Sequence, residues 1–343
     1  MKVNTQDLKD AINLCVAGTS SKDLVAQMSH VVFNNEEILS YNDKISICVP
    51  FDTGVSCSIP AEDLQKVLNG ITEKEVDITV EEGDAPVVNI KSKSTEVVIF
   101  TEVESRIVED FFAAVDFDAM TWQPVPKNLL DQLALARFSA SSNALDANNL
   151  FCVHIKGTKV SSGDGHRLSV LELAAPMKEV LIPNTTVNDI IGFKNFEEYA
   201  IETGWIHFTS SDGIILSCKT VLGEFPDFTP IFKNFQSSAE TQIDSNLIPV
   251  LQNLGGLVEG TSDFMKSVKI TVGKGETKIS GRKEGLQIEK FVENTNEEDE
   301  VEFNISPVFL AYILTLTNSL QIGETSAMFS SKTFKHIVQL PLV

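Results

Sequence analysis

The chain has 343 residues, of which 43% are hydrophobic and 22% charged, and carries a formal net charge of −21. That length accommodates two or three domains, each able to bury a core of its own. The charge argues against a generally basic nucleic-acid surface, because duplex affinity rests on Lys and Arg neutralising phosphates. No apolar run of about 18 residues marks a membrane span, and Met1-Lys2-Val3-Asn4-Thr5 opens no apolar signal-peptide core.

In chain order, the first predicted element is a helix, in which the polar pair Asn4-Thr5 precedes Leu8, Ala11 and Ile12 at helical spacing. Ile59-Pro60 leads into a second amphipathic helix carrying Leu64, Val67 and Leu68, with proline tolerated in the first turn. Alternating, β-branched strands are expected at 76–80 and 97–100, with Glu82-Gly83-Asp84 as a turn between them. Residues 116–126 read as a linker. Lys127-Asn128 then precedes a helix with Leu129, Leu130 and Leu133, and Lys156-Gly157-Thr158 reads as a turn. Ile182-Pro183 leads into Val187, Ile190 and Ile191. A second linker is expected at 234–243. Asp244-Ser245-Asn246 precedes Leu247, Ile248 and Leu251, strands follow at 268–272 and 285–288 around the turn Gly273-Lys274-Gly275, and Ile305-Ser306-Pro307 introduces Leu310, Ile313 and Leu314.

Two helix types thus occur three times each. Leu8, Leu129 and Leu247 recur at offsets of 121 and 118 residues, and Ile59, Ile182 and Ile305 at 123 and 123. Repetition at a fixed period implies a repeated supersecondary unit. The expected class is α+β, with three similar domains at 1–122, 123–240 and 241–343, each carrying two helices on antiparallel sheet. Acid is unevenly spread over these thirds: each has nine Lys and Arg, against 22, 13 and 13 Asp and Glu.

The five cysteines are an odd number, dispersed, without CxxC or Cys/His zinc spacing. They read as reduced, buried thiols of a cytosolic protein, although Cys48 and Cys57 could face each other across a hairpin. The five histidines show no ligand spacing. Asp164 and His166 form no catalytic set, since no Ser or Cys nucleophile motif or metal cluster accompanies them. No cofactor, metal or catalytic residue is expected.

Four segments carry a resemblance. Ser161-Ser162-Gly163-Asp164-Gly165-His166-Arg167-Leu168 resembles the Thr-Asp-Gly-His-Arg-Leu segment of bacterial β sliding clamps (the DNA polymerase III β-subunit family), with Gly163 where Thr is usual. Val180-Leu181-Ile182-Pro183 is similar to that family's Val-Ile-Val-Pro, and Gly223-Glu224-Phe225-Pro226-Asp227-Phe228 to its Gly-x-Phe/Tyr-Pro-Asp-Tyr. The final His336-Ile337-Val338-Gln339-Leu340-Pro341-Leu342-Val343 resembles its terminal Val-Val-Met-Pro-Met-Arg-Leu. Order and spacing match over the whole chain, apart from broad departures in the first third, where 23–30 lacks the family's Leu-Pro-Ile-Leu.

The resemblance implies a DNA-clamp fold: six domains from two protomers closing a ring, sheets outside, helices lining a hole through which duplex DNA threads. Such a protein does no chemistry. It is a processivity factor that tethers a replicative DNA polymerase, binds DNA without reading sequence, and works in the bacterial cytoplasm and nucleoid, or in host cytoplasm if viral. The residues implied for DNA contact are Lys9, Lys22, Lys66, Lys127, Arg137 and Lys194; the helices near 246–258 and 306–318 contain none. A groove for an apolar peptide from polymerase and clamp loader is implied at Gly165, His166, Arg167, Leu168, Pro226, Ile231, Val338, Leu340, Pro341 and Leu342, with Leu145 or Leu150 as a further wall. The homodimer interface is implied at Val97 and Ile99 against the partner's third domain at Leu257 and Val258. Pro230 replaces a usual basic residue, and Val343 the usual Arg-Leu tail. The strong acidity keeps a second reading open, a clamp-fold binding protein that sequesters polymerase or loader without being loaded on DNA.

Overall fold

Each of the six apolar signatures forms a helix. In the computed structural model, which describes residues 2–20, 25–81, 86–101, 106–202, 204–297 and 299–341, Asn4 caps helix α1 (Thr5–Val16). Its Oδ1 accepts from the N–H of Gln6 at 2.8 Å and of Asp7 at 3.3 Å, satisfying two donors that a helix start leaves without partners. Helix α2 (Ala61–Gly70) directly follows a strand ending at Pro60 and buries Ala61, Leu64 and Leu68. Helix α3 (Ile107–Ala114) was not anticipated. Next come α4 (Leu129–Ala136), α5 (Asn184–Gly192), entered straight from a strand ending at Pro183, and the short α6 (Thr229–Asn234). Helix α7 (Ile248–Gly255) packs on α8 (Pro307–Ile313), which Ser306 caps by accepting from Phe309 N–H at 3.4 Å.

Contacts group the chain into two units, residues 1–130 with 185–222 and residues 131–184 with 223–343. The first contains a four-stranded antiparallel sheet, in the order Lys2–Asn4, Glu75–Glu81, Val87–Lys91, Glu96–Phe100. It also contains an eight-stranded sheet, ordered Ser56–Pro60, His30–Asn34, Glu37–Tyr41, Ile45–Pro50, Ile215–Lys219, Trp205–Ser210, Phe196–Glu202, Gln123–Pro124. At its middle, Ile215 pairs with Cys48 and Cys218 with Ile45. Helices α1 and α2 lie against each other, and α1 against the strands at 37–41 and 45–50.

The second unit holds a six-stranded sheet ordered Cys152–Gly163, Arg167–Pro183, Phe334–Gln339, Ser326–Ser330, Ser319–Ile322, Ala239–Gln242, and a four-stranded sheet ordered Leu286–Glu293, Glu276–Lys283, Val268–Val272, Val301–Ile305. Its core joins Leu247, Leu251 and Leu254 of the α7 region to Leu310 and Ile313 of α8, over Ile270, Ile279 and Phe329 from the sheets.

Sheet continuity explains why contacts do not separate at residues 122 and 240. The expected linkers are partly strand: Gln123 and Pro124 pair with Tyr199 and Glu198, and residues 239–242 pair with 319–322. Both stretches are largely solvent-facing and extend an existing sheet edge. The threefold helix repeat remains visible, because each helix of the second type follows a strand end at residue 60, 183 or 305.

The expected turn at 156–158 is instead a bulge. Gly157 sits at φ +61° inside the strand Cys152–Gly163, where the register against Arg167–Pro183 shifts. Residues 155–159 there face residues 172–180, so the surplus residues lie on the partner strand and Gly157 takes the left-handed conformation opposite them. Gly273-Lys274-Gly275 is a turn, with Gly275 at φ +78°. The turn read at 82–84 lies outside the described residues. All five cysteines are free thiols, so Cys48 and Cys57 are not bridged. Burial pushes both thiols up to about 12.

Helix α3 is held by one buried side chain. Gln27, only 2% exposed, accepts from Val108 N–H at 3.0 Å and donates to Glu109 Oε2 at 2.7 Å. Phe111 of α3 then stacks on Tyr41 at 4.6 Å and meets Trp205 at 5.0 Å. Gln27→Ala is expected to lower the stability of this unit by about 2 kcal/mol, because a buried N–H and a carboxylate lose their partner. Urea unfolding followed by Trp205 fluorescence measures it.

Candidate functional site

The segment that carries the resemblance is a tight turn joining the first two strands of the six-stranded sheet. Asp164 organises it. Its Oδ1 accepts from the N–H of His166 and of Arg167, both at 3.1 Å, and its own N–H donates to Arg167 O at 3.1 Å. Gly165, at φ +86°, supplies the left-handed residue that the reversal needs.

Arg167 turns inward from this loop. Its Nε meets Asp164 Oδ2 at 2.9 Å, and its guanidinium lies 4.2 Å from the ring centre of Phe138 and 3.9 Å from that of Phe309. Tyr312 stacks on Phe138 at 4.0 Å. The Arg167 side chain is only 14% exposed, and burial lowers its pKa while Asp164 opposes that shift. Guanidinium stays charged under any such pressure, so the aromatic faces and Asp164 together compensate for lost water.

The chain's end is fixed beside this turn. Arg167 pairs with Val338 and Leu168 with Ile337 across the sheet, and Gln339 N–H donates to His166 O at 2.7 Å. The His166 ring stacks on Phe264 at 3.8 Å, with Nδ1 3.2 Å from Gln339 Oε1. Val338 is buried, Leu340 is nearly so, and Pro341 is half-buried. Gly163 lies against Phe228, which stands between Pro226 and Ile231 in the chain; Ile231 is 46% exposed. Nine of the ten expected groove residues therefore belong to one unit, and Leu342 lies outside the described residues. Leu145, 91% exposed, stands clear of the surface, whereas Leu150 is half-buried.

Below the turn lies a buried polar trio. Ser139 Oγ is 2.7 Å from Ser169 Oγ, which is 2.9 Å from His336 Nδ1. His336 is fully buried, its Nε2 has no hydrogen-bond partner, and burial pushes its pKa down to about 3. Serine beside histidine is a nucleophile–base pair only where substrate can reach it. Here Phe138 and Phe334 flank the ring, and the trio ties strand to strand. Among the described residues, no group of His, Cys, Asp and Glu could hold a metal ion.

The remaining expected residues fall in both units. Lys9 donates from Nζ to Ile71 O at 2.8 Å, and Lys66 is paired with Glu62 at 2.7 Å. Lys127, Arg137 and Lys194 are exposed, and Lys22 lies outside the described residues. The exposed side chains of α1 and α2 include Asp7, Asp10, Glu62 and Asp63, with Lys66 the one cation among them; α7 exposes Gln252 and Asn253. On the edge strand Glu96–Phe100, Ile99 faces the core and Val97 is half-buried, while Val98 and Phe100 are 50% and 69% exposed. Leu257 is 45% exposed and Val258 is buried against Gly281. Sequence reading missed Phe138, Phe264, Phe309 and Gln339 at the turn. Their signal is proximity in space, since nothing in their local sequence separates them from core residues.

No protein-family model matches the sequence, and none of the curated proteins matches it. Solved structures match over the whole chain. The DNA polymerase III β chain of Streptococcus pneumoniae TIGR4 is 17% identical, with 100% of this chain and 99% of that one covered and a TM-score of 0.84. For the C. crescentus β sliding clamp the figures are 14%, 100%, 98% and 0.83. For the DNA polymerase III subunit β of Pseudomonas aeruginosa they are 15%, 100%, 100% and 0.81. The fold is therefore that of the β clamps.

The buried histidines generate a pH prediction. His336 and His207, the latter pushed down to about 4 by burial, stay neutral in the folded chain. The unfolded chain takes up protons near pH 6.5 that the folded one refuses, so stability is complete above pH 6.5 and falls as pH drops from there toward 4 and 3. A loss of about 2 kcal/mol per histidine is expected between pH 6.5 and 5, measured by urea unfolding, with histidine-ring NMR showing both rings neutral at pH 5.

Proposed function

We propose that the chain is a DNA sliding clamp, a processivity factor that closes as a six-domain homodimeric ring around duplex DNA and tethers a replicative polymerase without doing chemistry. The observation that carries this is the likeness of fold to β clamps over the whole length of both chains, with a TM-score of 0.84 at 17% identity. The threefold recurrence of helix pairs supports three domains, at 1–122, 123–240 and 241–343. The polymerase and the clamp loader dock a short apolar peptide at the turn around Arg167 and the chain's end, where Ile231, Pro226 and Pro341 offer an apolar surface with a polar rim. The buried Ser139–Ser169–His336 trio supports a role without catalysis, because no substrate reaches it.

Ring closure joins the edge strand Glu96–Phe100 of one protomer to the partner's third domain. Unpaired edges carrying exposed Val98 and Phe100 invite pairing, and the opposite surface includes Leu257, with Leu286 and Phe291 exposed on the edge strand Leu286–Glu293. Since Ile99 and Val258 face their own cores, the exposed neighbours carry the contact. Phe100→Asp and Leu257→Asp should each convert dimer to monomer in sedimentation at micromolar concentration. Dimers that persist in both variants would remove this interface.

The hold on DNA is more topological than electrostatic. Among the described residues, Lys127, Arg137 and Lys194 are the exposed candidates for phosphate contact, while Lys9 and Lys66 are already engaged. Carboxylates outnumber cations on the exposed faces of α1 and α2, and this favours one second reading, a clamp-fold protein that sequesters polymerase or loader and is never loaded. One experiment separates the two. The chain is loaded on nicked circular DNA with its loader and ATP, washed in high salt, and the DNA is then linearised. Retention on the circle and loss on linearisation is the expected result. Loss from the circle in salt sinks the topological account, and failure to load at all supports sequestration.

A further inference from the structure

We infer that the guanidinium of Arg137 and the hydroxyl of Tyr312 hold one phosphate of the DNA backbone between them, so that the last third of the chain grips DNA through a neutral donor. The inference rests on the clamp reading above, in which the helices line the hole.

Helices α7 and α8 contain neither Lys nor Arg, so they bring no cation of their own to a phosphate. Val308 and Tyr312 are the two residues of α8 that are not buried, and a spacing of four sets them on one face of the helix. Tyr312 is the polar one. Its ring is fixed in place, because it stacks on Phe138 at 4.0 Å, and the Arg167 guanidinium lies 4.2 Å from the centre of that same Phe138 ring. The residue before Phe138 is Arg137. Its N–H donates to Leu133 O at 3.0 Å and continues the last turn of α4, and its side chain is exposed. The stack thus brings the tyrosine of one helix beside the arginine that ends another.

The charges around the hydroxyl favour an anion. Arg137 and Arg167 both act on Tyr312 in the direction that stabilises negative charge, and no carboxylate among the described residues opposes them there. Arg167 is answered by Asp164 at 2.9 Å, and Asp263, the other acid acting on Arg167, is paired with Lys266 at 3.0 Å. Arg137 pairs with no carboxylate among the described residues. Asp131, the one acid of α4, lies about 120° around the helix from it.

The hydroxyl is a donor in waiting. Burial raises its pKa by more than the two arginines lower it, so it keeps its proton at neutral pH. No described group hydrogen-bonds with it. Guanidinium offers phosphate two parallel N–H groups, and a tyrosine hydroxyl is among the ordinary partners of a backbone phosphate oxygen. A neutral donor beside one unpaired guanidinium is a weak grip, suited to a ring that must slide.

The test titrates a fluorescein-labelled linear duplex with the full-length protein at low salt, reads anisotropy, and repeats the titration over a range of KCl. Tyr312→Phe keeps the stacked ring and Arg137→Gln changes an exposed side chain, so both variants should fold. Arg137→Gln should weaken binding about tenfold and make the salt dependence shallower by about one counterion. Tyr312→Phe should weaken it about fivefold with the salt dependence unchanged, because a neutral donor releases no counterion. In the double variant the two losses should fall short of their product, as they do when two groups share one partner. A Tyr312→Phe protein that binds like the wild type, or losses that simply multiply, overturns the pair and leaves the clamp reading standing. A wild type that binds no duplex removes the clamp reading and the pair with it. Inorganic phosphate titrated into the wild type by calorimetry separates backbone from free anion: it should bind about a hundredfold more weakly than duplex, which makes many contacts at once. Equal affinity, lost in Tyr312→Phe, overturns the assignment to DNA.

Discussion

The register that sets Arg167 opposite Val338 and Ser169 opposite His336 joins strands 167 residues apart in the chain, and the candidate groove exists only because of it. Closing so long a loop costs conformational entropy that grows slowly with length, but no local interaction repays it. The repayment comes from the completed ladder, whose backbone groups must pair once buried, and from the apolar residues beneath it, Leu171, Val338 and Phe329 among them, which leave water together. Two cooperating strands thereby deliver a turn and a chain end to one place. Neither could hold that geometry alone.

Polar groups at this junction are arranged to tolerate burial. Arg167 loses most of its water, and Asp164, Phe138 and Phe309 replace it with one carboxylate and two π faces. His336 loses all of its water and responds by staying neutral, held by two hydroxyls. The contrast follows from chemistry: guanidinium cannot shed its proton and must be compensated, whereas imidazole can. A junction built this way is rigid, because each polar group has few alternative partners in the low-dielectric interior. Rigidity suits a docking surface, since a preorganised groove does not have to be ordered again on binding.

Electrostatics sets the remaining character of the molecule. The surplus acid sits mainly in the first third of the sequence, and part of it lies on the exposed faces of the first two helices, where Asp7, Asp10, Glu62 and Asp63 face solvent. A surface of this sign repels phosphate within a Debye length. A protein that relies on encirclement can carry such a surface without losing its substrate, whereas one that relies on ion pairing cannot. The unevenly charged helices and the topological reading are therefore two sides of the same argument.

The amino-acid sequence determined the local elements and their repetition. Apolar residues three and four apart, polar caps and proline at first turns specify the helices around Leu8, Leu64, Leu129, Val187, Leu251 and Leu310 through interactions within a few residues, and the same spacing shows that the units repeat. The Asp164-Gly165 turn is specified by equally local interactions. Helix α3 was not, because its cap comes from Gln27, some eighty positions upstream. Gly157 read as a turn because a lone glycine looks alike in a reversal and in a bulge, and only the partner strand distinguishes them. Parts of the two linkers are edge strands because distant strands, at 198–199 and 319–322, offer an edge to pair with. Which side of the edge strand faces out, and hence that Val98 and Phe100 rather than Val97 and Ile99 are exposed, was decided by the packing of the sheet beneath. The seating of Phe228 on Gly163 was decided in the same way. Both depend on which atoms compete for one volume, and a linear sequence carries no record of volume until distant strands have brought those atoms together.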